Sequence, residues 1–148
     1  MTEKQRTLKE SIVFNGVGLH TGEAVTMEIC PAADNHGYKF QRVDLENQPI
    51  IKADVDYVVA TDRGTTLEQH GARVYTTEHL LAALYGCQVD NALIKLDAPE
   101  VPIMDGSAIS FVFLIQQAGL VEQSALKKFI RVKKSVEVRE GEGSSLKY

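Results

Sequence analysis

The 148-residue chain carries a net charge of −4, with 44% apolar and 24% charged residues. That size suits one domain with a real core, the composition excludes wholesale disorder, and the acidic balance argues against a nucleic-acid binder. Cys30 and Cys87 lie too far apart for a metal-type spacing, no apolar run reaches the roughly 18 residues of a spanning helix, and the polar start Met1–Arg6 does not read as a secretory leader. A reduced, cytoplasmic setting without a membrane span is expected.

Leu8 to Phe14 reads as a strand, rich in β-branched and aromatic residues and ending at Asn15-Gly16. The glycines of Gly16-Val17-Gly18-Leu19-His20-Thr21-Gly22 do not have the spacing of a dinucleotide loop. They admit two readings: a hairpin-like connection that needs positive φ, or a loop whose backbone approaches a ligand, with His20 as a polar contributor. Val25, Met27 and Ile29 alternate with Thr26 and Glu28, the mark of a strand with one buried face, which ends at Pro31. Tyr38–Val43 is predicted as a second strand after the Asn35-His36-Gly37 turn, and 49–59 contains a third. Thr65–Gln69 and Ala72–Thr76 flank His70-Gly71, a short hairpin signal that makes His70 a turn residue.

The hairpin delivers the chain to Thr76-Thr77-Glu78-His79-Leu80-Leu81-Ala82-Ala83-Leu84-Tyr85-Gly86, the stretch about which the rest is arranged. Thr76 or Thr77 is expected to cap a helix here, Glu78 suits the positive end of its dipole, and Gly86 is expected to stop it. Leu80, Leu81 and Leu84 form its apolar stripe. Packing does not require a carboxylate and an imidazole side by side on the first turn. A neutral imidazole can bind a metal, and a neighbouring carboxylate can take a proton from water. The zinc-protease signature needs a second histidine four residues on, where this chain has Ala83. The preceding loop, Arg63-Gly64-Thr65-Thr66, is expected near the pair.

Asn91–Asp97 follows as a short apolar strand. Two prolines and a glycine then stiffen the loop 98–107, whose apolar residues are expected to pack against something or to shape a site. Asp105 has two readings there, a turn acid or a site residue. Ser107 is expected to cap a second helix, apolar nearly all round and so deeply covered, running to Ala118 and stopping at Gly119. Ile130, Val132, Val136 and Val138 predict a long strand, and the basic residues around them (Lys127, Lys128, Arg131, Lys133, Lys134) read as its solvated face. A turn at 141–145 and the start of something new at Leu146 leave that strand without a partner, which reads as truncation. Strands first, with helices segregated to one side, indicate an α+β two-layer sandwich.

Together, Gly16–Gly22, Arg63–Thr66, Thr77–Leu84 and Pro102–Ser107 resemble, in order and spacing, one family: the zinc-dependent UDP-3-O-acyl-N-acetylglucosamine deacetylases of lipid A biosynthesis in Gram-negative bacteria. The resemblance runs from about Gln5 to the end of the chain. It implies two similar halves, each a small, mainly antiparallel sheet with two helices on one face, a fold also seen in ribosomal and nucleotide-binding proteins. Residues 1–126 would form the first half and 127–148 the opening strand of the second. The resemblance also implies Glu78 as general base and His79 as a Zn2+ ligand, with His20, Thr65, Thr66 and Asp105 lining or supporting the cleft. The substrate would be UDP-3-O-acyl-N-acetylglucosamine, cleaved to acetate and a free amine.

The family's other two ligands, a histidine and an aspartate four apart on a helix of the second half, have no counterpart here, nor does its further catalytic histidine. His20, His36 and His70 do not match those motifs. The chain is therefore expected to be a fragment inactive by itself, with the face that meets the second half left apolar and prone to self-association. Two alternatives stand beside this reading: a non-catalytic binding module of the same fold, or the first part of a deacetylase fused to a hydroxyacyl-carrier-protein dehydratase.

Overall fold

The computed structural model describes residues 3–140 and 144–147. The strand elements begin with β1 (Lys4–Leu8), β2 (Ile12–Val17), β3 (Ala24–Pro31), β4 (Tyr38–Arg42) and β5 (Ile50–Lys52). A single 3-10 turn, Val55–Tyr57, leads into β6 (Val58–Ala60), β7 (Thr66–Gln69) and β8 (Ala72–Val74). Then come α1 (Glu78–Gly86), β9 (Ala92–Leu96), α2 (Ile109–Ala118), β10 (Leu120–Leu126), β11 (Glu137–Glu140) and β12 (Ser144–Lys147).

The principal sheet has the order β2-β3-β9-β4-β5, antiparallel except where β4 runs parallel to β9. The alternation read in β3 is realised: Val25, Met27 and Ile29 are buried, and Met27 and Ile29 stand opposite Leu96 and Ile94 of β9. These side chains form one core with Leu80, Ala83 and Leu84 of α1 and Phe111 and Ile115 of α2. Each large apolar side chain so buried contributes about 1.5–3 kcal/mol relative to exposure. Phe14 of β2 meets Phe111 with ring centroids 5.9 Å apart, fixing α2 over the sheet. The architecture is the expected α+β one. A second sheet, β6-β7-β8, includes the predicted hairpin, whose His70 and Gly71 both take positive φ (54° and 75°), as a two-residue primed turn requires.

Several expectations are corrected. The strand foreseen over 8–14 is broken at residues 9–11, because its two ends serve different sheets: β1 pairs with β10, and β2 with β3. The β10 strand was not foreseen, since its burial has no clean period of two. Gly86 ends α1 without positive φ, and the left-handed turn falls at Gln88. Instead of being covered all round, α2 leaves Ile109 and Phe113 exposed, the latter at 60%. Gly119 does stop α2, at φ 71°, but the residue capping its start is Ala108, with the Ser107 hydroxyl accepting from the Ile109 N–H. Finally, the long strand over 130–138 is reduced to β11, and Ile130 is 98% exposed. β11 has a partner after all, the antiparallel β12. Residues 141–143 of the foreseen turn lie outside the described residues.

Candidate active site

The start of α1 is stitched to the loop before β7 through a single residue. The Thr65 carbonyl accepts from both the backbone N–H and the hydroxyl of Thr77, each at 3.3 Å. The Thr65 N–H donates to Glu78 Oε2 at 2.9 Å. Thr77 is the residue before the helix but makes no side-chain cap, because its hydroxyl is spent on Thr65. Glu78 Oε1 lies 3.4 Å from where a Cβ on Gly64 would sit, so a glycine there leaves the acid uncrowded. The expectation that the Arg63–Thr66 loop lies near the acid–imidazole pair is met in this geometry.

His79 follows on the same turn, partly exposed, with a buried Nδ1 that has no hydrogen-bond partner. A buried, unpartnered imidazole nitrogen is costly unless something else engages it, and a metal ion is one such group. Among the described residues, however, no three His, Cys, Asp or Glu side chains gather to hold a metal ion.

His20 comes to the same place from the β2–β3 loop, its Nε2 3.0 Å from the Arg63 carbonyl. Thr66 is buried and lines an open cavity of about 390 Å³, shared with His20, Arg63, Gly64, Tyr75 and Thr76. Of the residues singled out in the sequence, Glu78 and Thr65 are joined directly, and His20 and Thr66 line this cavity. Asp105 is engaged elsewhere: it accepts from the Ser107 N–H and hydroxyl, and it borders a different depression with Asn15, Gly16 and Val17. Those Ser107 bonds, the backbone one foremost, hold its carboxyl below the usual range. The turn-acid reading describes these contacts.

One residue of this region escaped sequence reasoning. Glu100, in the stiff loop after β9, is only 1% exposed. Both its oxygens accept from the His20 N–H (3.1 and 3.0 Å), Oε2 also from the Thr21 N–H (2.8 Å), and Oε1 from the Thr76 hydroxyl (2.7 Å). Burial pushes the carboxyl up, but the bonds from Thr21, Thr76 and His20 outweigh it and leave it below its ordinary value. The approach is close enough to dictate Gly18: a Cβ there would meet Thr21 Oγ1 at 2.3 Å and Glu100 Oε2 at 2.5 Å. Thr76, expected as a cap, instead takes φ 57°, costly for a β-branched residue by about 1–3 kcal/mol. An isolated acid between two prolines carries no local signal of such a role.

The class these features define is a small α+β sandwich with an acid–imidazole pair on the first turn of a helix. Residues 5–147 match the family model of the UDP-3-O-acyl N-acetylglycosamine deacetylases, and the chain belongs to that family. It is 54% identical over 142 residues to a UDP-3-O-acyl-N-acetylglucosamine deacetylase of Saccharophagus degradans, covering 96% of this chain and 47% of that protein. A protein of the same name from Alcanivorax borkumensis is 56% identical over 137 residues, 93% of this chain and 45% of its own length. A Bacteroides thetaiotaomicron relative named bifunctional enzyme LpxC/FabZ is 51% identical over 144 residues, 97% of this chain and 31% of its own. The chain thus spans half or less of the length of these curated relatives.

Proposed function

We propose that this chain provides the general base, Glu78, and one zinc ligand, His79, of a deacetylase that hydrolyses UDP-3-O-acyl-N-acetylglucosamine to acetate and the free amine. The observation that carries the reading is the unpartnered, buried His79 Nδ1 directly after an acid whose orientation is fixed by the Thr65 N–H. His79 would hold a zinc ion, which would supply Lewis-acid activation of the acetamide carbonyl and of the attacking water. Glu78 presents Oε1 to that water and takes its proton, while the bond from Thr65 to Oε2 keeps the carboxylate aimed. His20 and Thr66 line the cavity beside this pair. Asp105, held by Ser107 and outside this cavity, is given no role at the pair.

His79 fits one corner of a zinc site. The remaining ligands are assigned to parts of the longer relatives that this chain does not cover, and the 148 residues alone are proposed to be inactive. In the same reading, residues 1–126 form the first of two similar units, the setting is cytoplasmic, and the apolar surface at Ile109 and Phe113 favours self-association. Among the described residues no helix is long and apolar enough to cross a membrane. The bifunctional relative supports a second reading, in which the deacetylase portion is joined to a dehydratase.

Zinc stoichiometry and affinity test the proposal, measured on this chain, on its His79→Ala variant, and on a chain extended to the relatives' length. The expected result is one tightly bound zinc in the extended chain, lost with His79→Ala, and weak binding by the short chain. Tight binding by the short chain would reveal a ligand set within it and overturn the inactivity proposal. An extended chain indifferent to zinc would leave the binding-module reading in its place.

A further inference from the structure

Three segments far apart in sequence converge on one carboxylate. A parallel bridge joins Tyr75 to Glu100, with the Tyr75 N–H donating to Pro99 O (2.9 Å) and the Val101 N–H to Tyr75 O (3.1 Å). This brings Glu100 beside the bend at Thr76 that redirects the chain from β8 into α1. The same carboxylate gathers the His20 and Thr21 N–H groups, and His20 in turn reaches the Arg63 carbonyl. Arg63 is two residues from Thr65, whose N–H holds Glu78. The His20 and Thr21 N–H groups can only donate, and the His20 N–H reaches both oxygens. An amide NH2 at either position therefore meets a donor, and the Thr76 hydroxyl alone could turn to accept from it. The site is matched to an ionised, acceptor-only side chain.

We propose that Glu100 is a positioning residue for the Glu78–His79 pair: by accepting from His20, Thr21 and Thr76 at once, it fixes the bend into α1 and docks the His20 loop on the Arg63 carbonyl. The inference rests on the catalytic reading of that pair, and it adds a residue that touches neither substrate nor metal. It also explains why a β-branched residue sits in a left-handed conformation at 76: the hydroxyl bond to Glu100 offsets the backbone cost. With the carboxylate gone, the bend and the loop both lose their anchor, and the Thr65–Glu78 bond loses the framework that keeps it short.

The test is amide hydrogen exchange with nitrogen-15 spectra of the 148-residue chain, comparing wild type with Glu100→Gln. That variant keeps the side-chain volume but sets an NH2 group against donors. Exchange of the His20, Thr21 and Thr65 amides is expected to rise at least tenfold, and the His20 ring resonances to move toward those of a free imidazole. Amides of β3 and β9 should keep their protection. Unchanged Thr65 and His20 signals in a folded Glu100→Gln protein would overturn the proposal. Should that variant not fold, Thr76→Val and Thr76→Ser decide the matter. The valine is expected to raise exchange at Thr65, and the serine, which keeps the donor, to restore protection. Equal behaviour of the two would overturn it. These signals are read without substrate or metal, so they stand or fall separately from the zinc measurement.

Discussion

Two of the buried polar clusters among the described residues are built on opposite principles. One, around Asn91, is made of neutral amides and hydroxyls. Asn91 donates to Gln5 (2.8 Å) and Gln123 (2.7 Å) and accepts from the Gly37 N–H (2.8 Å), while the Thr7 hydroxyl donates to the Asn91 carbonyl (2.7 Å). The other, around Glu100, is one anion ringed by donors. The amide cluster joins β1 and β10 to the β3–β4 turn, far from the acid–imidazole pair in its connections. The anionic cluster joins the loops that surround the pair. Neutral networks hold irrespective of pH, whereas an acceptor-only hub depends on staying ionised. The contrast separates a fastening of the scaffold from a fastening of the site.

The sharpest way to break the contrast is Asn91→Leu, which strands the Gly37 N–H and the Gln123 oxygen, while the Gln5 oxygen keeps the Asn35 N–H. A loss of about 3 kcal/mol or more is expected in urea unfolding, and a loss under about 1 kcal/mol would mean the amides re-pair among themselves. Glu100→Gln should cost about 2 kcal/mol near neutral pH. Because the Glu100 carboxyl is lowered from 4.5 in the folded protein, its stabilisation is complete above the unfolded value and disappears as pH falls through the folded one. Unfolding free energy measured downward from pH 5 should therefore fall less steeply in Glu100→Gln than in wild type, and no less steeply in Asn91→Leu. Equal slopes in all three would remove the distinction. Gly18→Ala drives a methyl group toward Glu100 and should cost about 1–3 kcal/mol, read as a drop in Tm with the Thr21 amide shift displaced. Thr7→Val, which takes an acceptor from the Ala32 N–H and a donor from the Asn91 carbonyl, should cost about 1–2 kcal/mol by the same urea assay.

Legibility in the sequence followed the range of the forces involved. The alternation in β3, the primed turn at His70-Gly71, the span of α1 and the closeness of the Arg63–Thr66 loop to Glu78 all follow from signals close together in the chain. The stop at Gly119 is equally local. What escaped is non-local. Nothing near Leu8 says that its strand pairs with Leu120 rather than continuing into β2, and nothing near Tyr38 announces a parallel neighbour at Ala92. Thr76 shows the limit for the site: its cap chemistry was visible, but a carboxylate 24 positions away claims the hydroxyl and turns the backbone left-handed. The acid–imidazole pair could be read because its two residues adjoin in the chain and both fall on the first turn of α1. Glu100 could not, since its partners come from loops that only the finished fold brings together.

The pairing of β1 with β10 also sets a schedule. The Gln5 side chain bonds the Leu126 carbonyl across 121 positions, so β1, which also meets Asn91 through Thr7, gains its antiparallel partner only when nearly the last of the sandwich has followed. At about 5–20 residues per second, that interval is on the order of ten seconds. Over that interval the partners within reach of Gln5 and Thr7, both buried in the finished protein, are the Asn35 and Ala32 N–H groups and then Asn91. The sandwich is thus sealed late, by β10 closing on β1.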